Sequence, residues 1–458
     1  MKKLILSLSA LTLSFSALSA DLAEIFKQAQ SHDPQLSAAK HTLNASSEGK
    51  KQAFAAFLPQ ASGGWNKTKG DTESGGSIIP LQIFDINTDG WNIDINQSLY
   101  DHANYGNYKI AKIQVLQAIA DYDKAYQDFV LRVAQTYFNV LGAKDSLVFS
   151  KAEEKAIQRQ LDQAEQRFEV GLAAITDVHE SRARYDGARA SVIIASNQLE
   201  DNNEALFEIS QRYYPSLLPV PDDIDFDSFL LEPLENYQKI ALEKNPDLAS
   251  AQMGSDIAEK QISVNRAGHY PAVSLRLSRS RSFNPNATFP ITQSVPDPDN
   301  PGQNIDITTF VETDQTRENN TATINVNVPI FSGGRTQSQV RQSVHNHKAA
   351  MDRYEQTRRS VIRKVRNAYH GTLAAKSSVQ ARKQAMISAQ SGLEATEAGY
   401  EVGTRTIVDV LNSQRSLYQA QRDYSKAKYD YFIQYLGLKR SAGDLTEEDI
   451  FTINKILK

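Results

Sequence analysis

Two long stretches without proline constrain this chain more than any other feature: none occurs from Leu81 to Tyr214, and none from Ile330 to Lys458. Proline is the strongest helix breaker, so its absence permits helices of unusual length. A helix from near His102 to Phe168 is expected, on the order of 100 Å long at about 1.5 Å per residue. Ile157, Leu161, Ala164 and Phe168 return as Ala389, Leu393, Thr396 and Tyr400. Their spacing of four, three, four is that of a coiled-coil seam. Helices of this length cannot be buried in one globular core and have to lie side by side.

The second constraint is an internal duplication. DPQLSAA at 33–39 answers NPDLASA at 245–251, and Pro59 falls on Pro271, both at an offset of 212 residues. Further on, Tyr137 meets Tyr369 and FEVGLAAITDV (168–178) meets YEVGTRTIVDV (400–410), at an offset of 232. The second copy therefore carries about twenty extra residues, placed at the proline-rich segment 284–310. So long a period excludes a solenoid and gives a two-repeat protein. The expected organisation is a signal peptide at 1–20, a first repeat at 21–214, a linker at 215–232, a second repeat at 233–440 and a C-terminal segment at 441–458. Each repeat reads as a helix, two strands (57–100 and 271–331), a long helix, a tip turn (168–178 and 400–410) and a further helix. Segment 284–310, with DPDNPG inside it, is expected to be an inserted flexible loop.

The strand segments alternate. Trp91, Ile93, Ile95 and Leu99 share one face and Asn92, Asp94, Asn96 and Ser98 the other. Val273, Leu275 and Leu277, and likewise Ala322, Ile324, Val326 and Val328, oppose Ser, Arg, Thr and Asn. One such segment fits a half-exposed soluble sheet equally well; four in an exported chain favour a membrane barrel with an apolar exterior and a polar lumen. Export follows from the N-terminus, where Lys2 and Lys3 precede an apolar run ending in Ala17-Leu18-Ser19-Ala20. After it no run of 18 apolar residues occurs, so no membrane-spanning helix is expected. Four strands would leave two edges unpaired in lipid, so the chain has to oligomerise, as two, three or four copies.

Composition removes whole classes of function. The chain has no cysteine, which excludes disulfides, thiolate metal sites and cysteine nucleophiles. Its net charge of −4 argues against nucleic-acid binding. His345 and His347 are two apart and would point to different faces of a helix, so neither a metal site nor a cofactor is expected. With no serine–histidine–acid, phosphate-loop or dinucleotide pattern, no catalytic site and no enzyme are expected.

NPDL with the following YPAVSL, VPIFSGG (328–334), RFEVGLAAITDV (167–178) and AGYEVGTRTIVDVLNSQRSLY (398–418) together resemble the TolC-type outer membrane factors. The resemblance covers essentially the whole mature chain. It implies a mixed α/β membrane protein: a homotrimer whose outer-membrane β-barrel has twelve strands, four per chain, continuous with a coiled-coil helical tunnel in the periplasm. It further implies an exit duct for efflux pumps and type I secretion, carrying drugs, small toxic compounds and proteins. Its partners would be a periplasmic adaptor (membrane fusion) protein and an inner-membrane pump of RND, ABC or MFS type. A trimeric coiled-coil envelope spacer or adhesin with a small barrel anchor is the structural alternative, and a porin-like diffusion channel is a third reading.

The repeated motif is where the site is expected. A glycine after a long helix is the usual left-handed C-cap, and Thr406 with Asp409 resembles a capping box. A turn does not require Asp177, Tyr400 or Arg405. By resemblance, Tyr400 and Asp177 would link the helix pairs of one chain, while Arg405 would reach Thr176 and Asp177 of the next, closing a periplasmic gate. Asp409 would form a ring of carboxylates in the pore, with Asn412 one turn on where the family often has a second aspartate. The tips Val170, Gly171 and Leu172, and Val402, Gly403 and Thr404, would receive the adaptor.

Overall fold

The computed structural model of the chain describes residues 19–74, 82–221, 224, 226, 231–299 and 301–457. All but the last two residues of the expected signal peptide, and the connection at 75–81, therefore lie outside the described residues. The chain forms two compact units, one of residues 1–45, 116–254 and 351–458, the other of 46–115 and 255–350.

The elements repeat as the sequence repeats. The first copy comprises α1 (Leu22–His32), α2 (Pro34–Ala55), β1 (Gln60–Ser74), β2 (Gln82–Tyr100), α3 (His102–Glu169) and α4 (Ile175–Ser210). The second comprises α5 (Leu234–Lys244), α6 (Pro246–Arg266), β3 (Ala272–Pro296), β4 (Asn304–Asn327), α7 (Arg335–Glu401) and α8 (Ile407–Ala442), followed by α9 (Glu447–Ile456). The single helix expected before each strand pair is two helices. Asp33-Pro34 and Asn245-Pro246 break it, because proline cannot continue a helix but is well placed to start one. The residue before each proline caps the new helix: Leu36 N–H donates to Asp33 Oδ1 at 2.7 Å, and Asp247 N–H to Asn245 Oδ1 at 3.0 Å.

In the first unit the core lies midway along α3. Phe129, Val133, Tyr137, Phe138 and Leu141 are buried at helical spacing against Tyr431, Phe432 and Leu436 of α8, with α1 and α9 covering them. Phe138 stacks on Phe432 with ring centres 5.3 Å apart, and Tyr137 donates its hydroxyl to Leu218 O at 2.6 Å. Burial pushes the Tyr137 hydroxyl well above the usual phenol range, so it stays a neutral donor. Toward the tip, α8 is tied to α3 by Arg422–Glu153 at 2.8 Å, and by Asp145, which accepts from Tyr429 at 2.7 Å and also from Ser425. At its other end α8 closes on Gly443, whose φ of 78° makes a left-handed cap, with Asn245 of the α5–α6 corner against it.

In the second unit the four strands form one antiparallel sheet in the order β1-β2-β3-β4. Ala61, Ile95, Leu277 and Ala322 stand in one register row, and Leu275 with Ile324 and Val273 with Val326 continue the same face. Asn96, Arg276 and Thr323 line the opposite face, where Arg276 meets the Asp94 carboxylate at 2.8 Å. The alternation read in the sequence is thus the alternation of the sheet.

Segment 284–310 corrects an expectation. It is not a flexible loop: β3 continues to Pro296, β4 begins at Asn304, and their pairing runs on to Pro296 opposite Asn304. The prolines suit this position because β2 pairs with β3 only as far as Phe283. Beyond that point β3 has β4 on one side and an open edge on the other, where a missing N–H disrupts no ladder. The β-branched residues of the segment then favour strand over loop.

Candidate functional site

The two tip turns lie side by side in the first unit. Each is built by a glycine C-cap after a helix of nearly 70 residues. Gly171 has φ 76° and Gly403 φ 80°. Leu172 N–H returns to Arg167 O, and Thr404 N–H to Gly399 O, both at 2.8 Å. This is the helix-ending loop that only glycine forms without strain. Small clusters hold the hairpins together: Ile157 and Ala188 with Ile407 and Leu411, and Leu393 with Val410 and Leu417.

The copies differ at the helix that leaves the turn, and the difference sorts the acidic residues. Asp177 and Asp409 are equivalent, 232 positions apart. In the second copy the N-cap is Thr406, and a complete capping box forms: Asp409 Oδ2 accepts from Thr406 N at 2.9 Å and from Thr406 Oγ1 at 2.8 Å. Those bonds hold the Asp409 carboxyl below the usual aspartate range. In the first copy the N-cap is Ala174, which has no side-chain acceptor, and no box forms. Among the described residues, Asp177 makes no side-chain hydrogen bond or ion pair. Thr176 stands beside it, exposed in the first turn of α4.

Arg405 is exposed and also makes no side-chain hydrogen bond or ion pair among the described residues. Its stem lies over Gly399, where an added Cβ would sit 2.7 Å from Arg405 Cγ. Tyr400 is half-buried between the two hairpins, with the Arg167 guanidinium 5.0 Å from its ring centre. No hydrogen bond joins Tyr400 to Asp177 within the chain, among the described residues. The ring is positioned by packing and by the arginine above it, a contact the sequence reading missed. Asn412 is exposed on α8, three residues after Asp409.

The tips themselves are apolar and open. Val170, Leu172 and Val402 are 69%, 71% and 75% exposed, beside the exposed Gly171, Gly403 and Thr404. Among the described residues no group of three or more His, Asp or Glu is placed to hold a metal ion.

A sheet with one apolar face, joined in sequence to helical hairpins with open tips, is the arrangement expected of an outer-membrane channel subunit. The sequence pattern of the outer membrane efflux protein family matches residues 25–210 and 238–444, and the chain belongs to that family. It is 36% identical over 463 residues to the outer membrane protein TolC of Vibrio cholerae, covering 100% of this chain and 99% of that one. It is 25% identical to the alkaline protease secretion protein AprF of Pseudomonas aeruginosa, covering 96% of this chain and 88% of the relative. Its fold matches the outer membrane protein VceC of Vibrio cholerae with a TM-score of 0.69 at 17% identity, over 92% of this chain and 96% of that one. The chain is therefore an outer membrane exit duct of mixed α/β fold.

Proposed function

We propose that the chain is a passive duct with a gate at its tip turns, and that it performs no catalysis. Three copies close the sheet into one barrel, since unpaired strand edges are not tolerated in lipid. The helical hairpins then carry the channel into the periplasm. An adaptor protein docks on the exposed apolar tips and couples the duct to an inner-membrane pump of RND, ABC or MFS type. The cargo is chosen by the pump: drugs and small toxic compounds in efflux, proteins in type I secretion.

One observation carries the gate. Arg405 and Asp177 stand on adjacent turns, and neither makes a side-chain hydrogen bond or ion pair in its own chain among the described residues, whereas the equivalent acid Asp409 is held by Thr406, with the Arg405 charge acting on it only at longer range. Arg405 of one chain is thus available to Asp177 and Thr176 of the next. Such a charge-assisted pair at an aqueous tip contributes about 1 kcal/mol, weak enough for an adaptor to break. Tyr400 holds the α7–α8 hairpin against the α3–α4 hairpin. The gate is then a two-state element with a small gap, which a ligand of modest differential affinity can shift.

Asp409 places one carboxylate per chain beside the pore, favouring cations there, while Asn412 keeps the next ring neutral. In planar bilayers the protein is expected to show a small conductance with weak block by multivalent cations from the periplasmic side. Asn412→Asp should tighten that block by on the order of tenfold, because three added charges act at one constriction. An unchanged block places Asn412 away from the pore, and an absence of any conductance overturns the duct.

A further inference from the structure

At the helical end of the sheet, in the second unit, lies a pocket that the duct reading does not use. It has a volume of about 380 Å³ and is lined by Arg266, His269, Tyr270, Gln337, Val340 and Arg341. Arg266 ends α6, a single 3₁₀ turn (Ala267–His269) follows, and Gln337, Val340 and Arg341 lie in the first two turns of α7. Gly268 lets these elements meet: a Cβ there would fall 2.8 Å from Thr336 Cγ2.

The lining holds two guanidiniums and an imidazole, and no carboxylate. Neither Arg266 nor Arg341 forms an ion pair or side-chain hydrogen bond among the described residues, although the chain as a whole has a net charge of −4. This charge has not been balanced from within the unit. Tyr270 adds a hydroxyl, and its ring lies 4.8 Å from that of His102. Gln337 sits in the first turn of α7, where the helix end favours an anion.

The surroundings indicate which anion. Pro271 follows Tyr270 directly and leads into β3, whose Val273, Leu275 and Leu277 belong to the apolar face. On the other side, Ile330 and Phe331, just before α7, are 94% and 89% exposed. A cationic pocket thus stands at the end of an apolar band, the arrangement that recognises a lipid by its headgroup and its chains together.

We propose that this pocket binds the phosphate of an anionic phospholipid in the periplasmic leaflet. The inference rests on the sheet being the membrane barrel with its helices on the periplasmic side. Arg266 and Arg341 hold the phosphate oxygens as donors, Tyr270 and Gln337 offer further donors, and the acyl chains lie along the apolar face.

Native mass spectrometry of the intact protein, exchanged into mixtures of phosphatidylglycerol and phosphatidylcholine, tests it. Retained phosphatidylglycerol should exceed phosphatidylcholine by about tenfold or more, as expected for two cations acting at a headgroup. Arg266→Gln with Arg341→Gln should bring the ratio close to one. Lys67→Gln with Lys69→Gln, the same change of charge on β1, should leave it unaltered. Equal retention by the unaltered protein overturns the proposal, as does a preference that survives loss of both arginines, or one shown for lipopolysaccharide alone. Circular dichroism checks that the variant is folded, and the conductance and lipid preference of the unaltered protein separate the two readings. A conducting protein without lipid preference ends this inference alone, whereas lipid preference without conductance ends the duct reading.

Discussion

Arg405→Ser combined with Tyr400→Phe is expected to raise single-channel conductance severalfold, with most of the rise coming from the arginine. Each interchain arginine–aspartate pair contributes about 1 kcal/mol at an exposed site. Removing all three in a trimer shifts the closed-to-open ratio by about 3 kcal/mol, on the order of a hundredfold. Tyr400→Phe removes only a hydroxyl. The ring still fills its place between the hairpins beneath Arg167, whose guanidinium is 5.0 Å from its centre. The single tyrosine variant should therefore change little, and Arg405→Ser alone should account for most of the double effect. A double variant that conducts like the unaltered protein removes the latch from the account.

Gly443→Ala is expected to be the most damaging small substitution outside the tips. Gly443 has φ 78°, a conformation that costs an alanine about 1–2 kcal/mol. The added Cβ would also sit 2.5 Å from Asn245 Cα and 2.9 Å from Asn245 N, neither of which can move as a side chain can. That corner is fixed from several directions: Asn245 Nδ2 donates to Ser441 O at 2.9 Å, Lys244 pairs with Asp444 at 2.8 Å, and Gln127 donates to Gly443 O at 3.1 Å. Strain and clash together should cost at least ~3 kcal/mol. The loss should appear as a lower denaturant midpoint and faster amide exchange at the end of α8 and in α5. Gly437→Ala is the control. Nothing lies within 4 Å of a Cβ at that position, which is inside α8, so alanine there should be neutral or slightly stabilising. Equal effects at the two glycines would remove the corner as the cause.

Much of this architecture was legible in the sequence because its determinants are local. The absence of proline over 81–214 allowed α3 to be placed from His102, and it ends at Glu169, one residue past the expected end. Period-two alternation gave both faces of the sheet. The breaks at Pro34 and Pro246 are equally local, since a proline within a helical stretch marks the first residue of a new helix. Segment 284–310 departs from its local signal for a different reason. Its prolines signal a loop only when both strand edges are paired, and how far β2 extends beside β3 is a tertiary fact.

At the site, the glycine turns and the capping box could be read from the motif. Repetition alone also made Asp177 and Asp409 equivalent, and the exchange of Thr406 for Ala174 was there to be noticed. It decides which carboxylate is left uncommitted. The Arg167–Tyr400 contact was not legible, because it joins the ends of α3 and α7, which are far apart in sequence and meet only through packing.

Interchain cross-linking tests the latch most directly, and a chain without native cysteines is suited to it. Asp177→Cys with Arg405→Cys, oxidised in the membrane, should give a covalent trimer on a denaturing gel. Its conductance should stay low until a reductant is added and then rise above that of the unaltered protein. A product cross-linked only within single chains, or a covalent trimer that conducts as well oxidised as reduced, would contradict a gate held by Arg405 of one chain and Asp177 of the next.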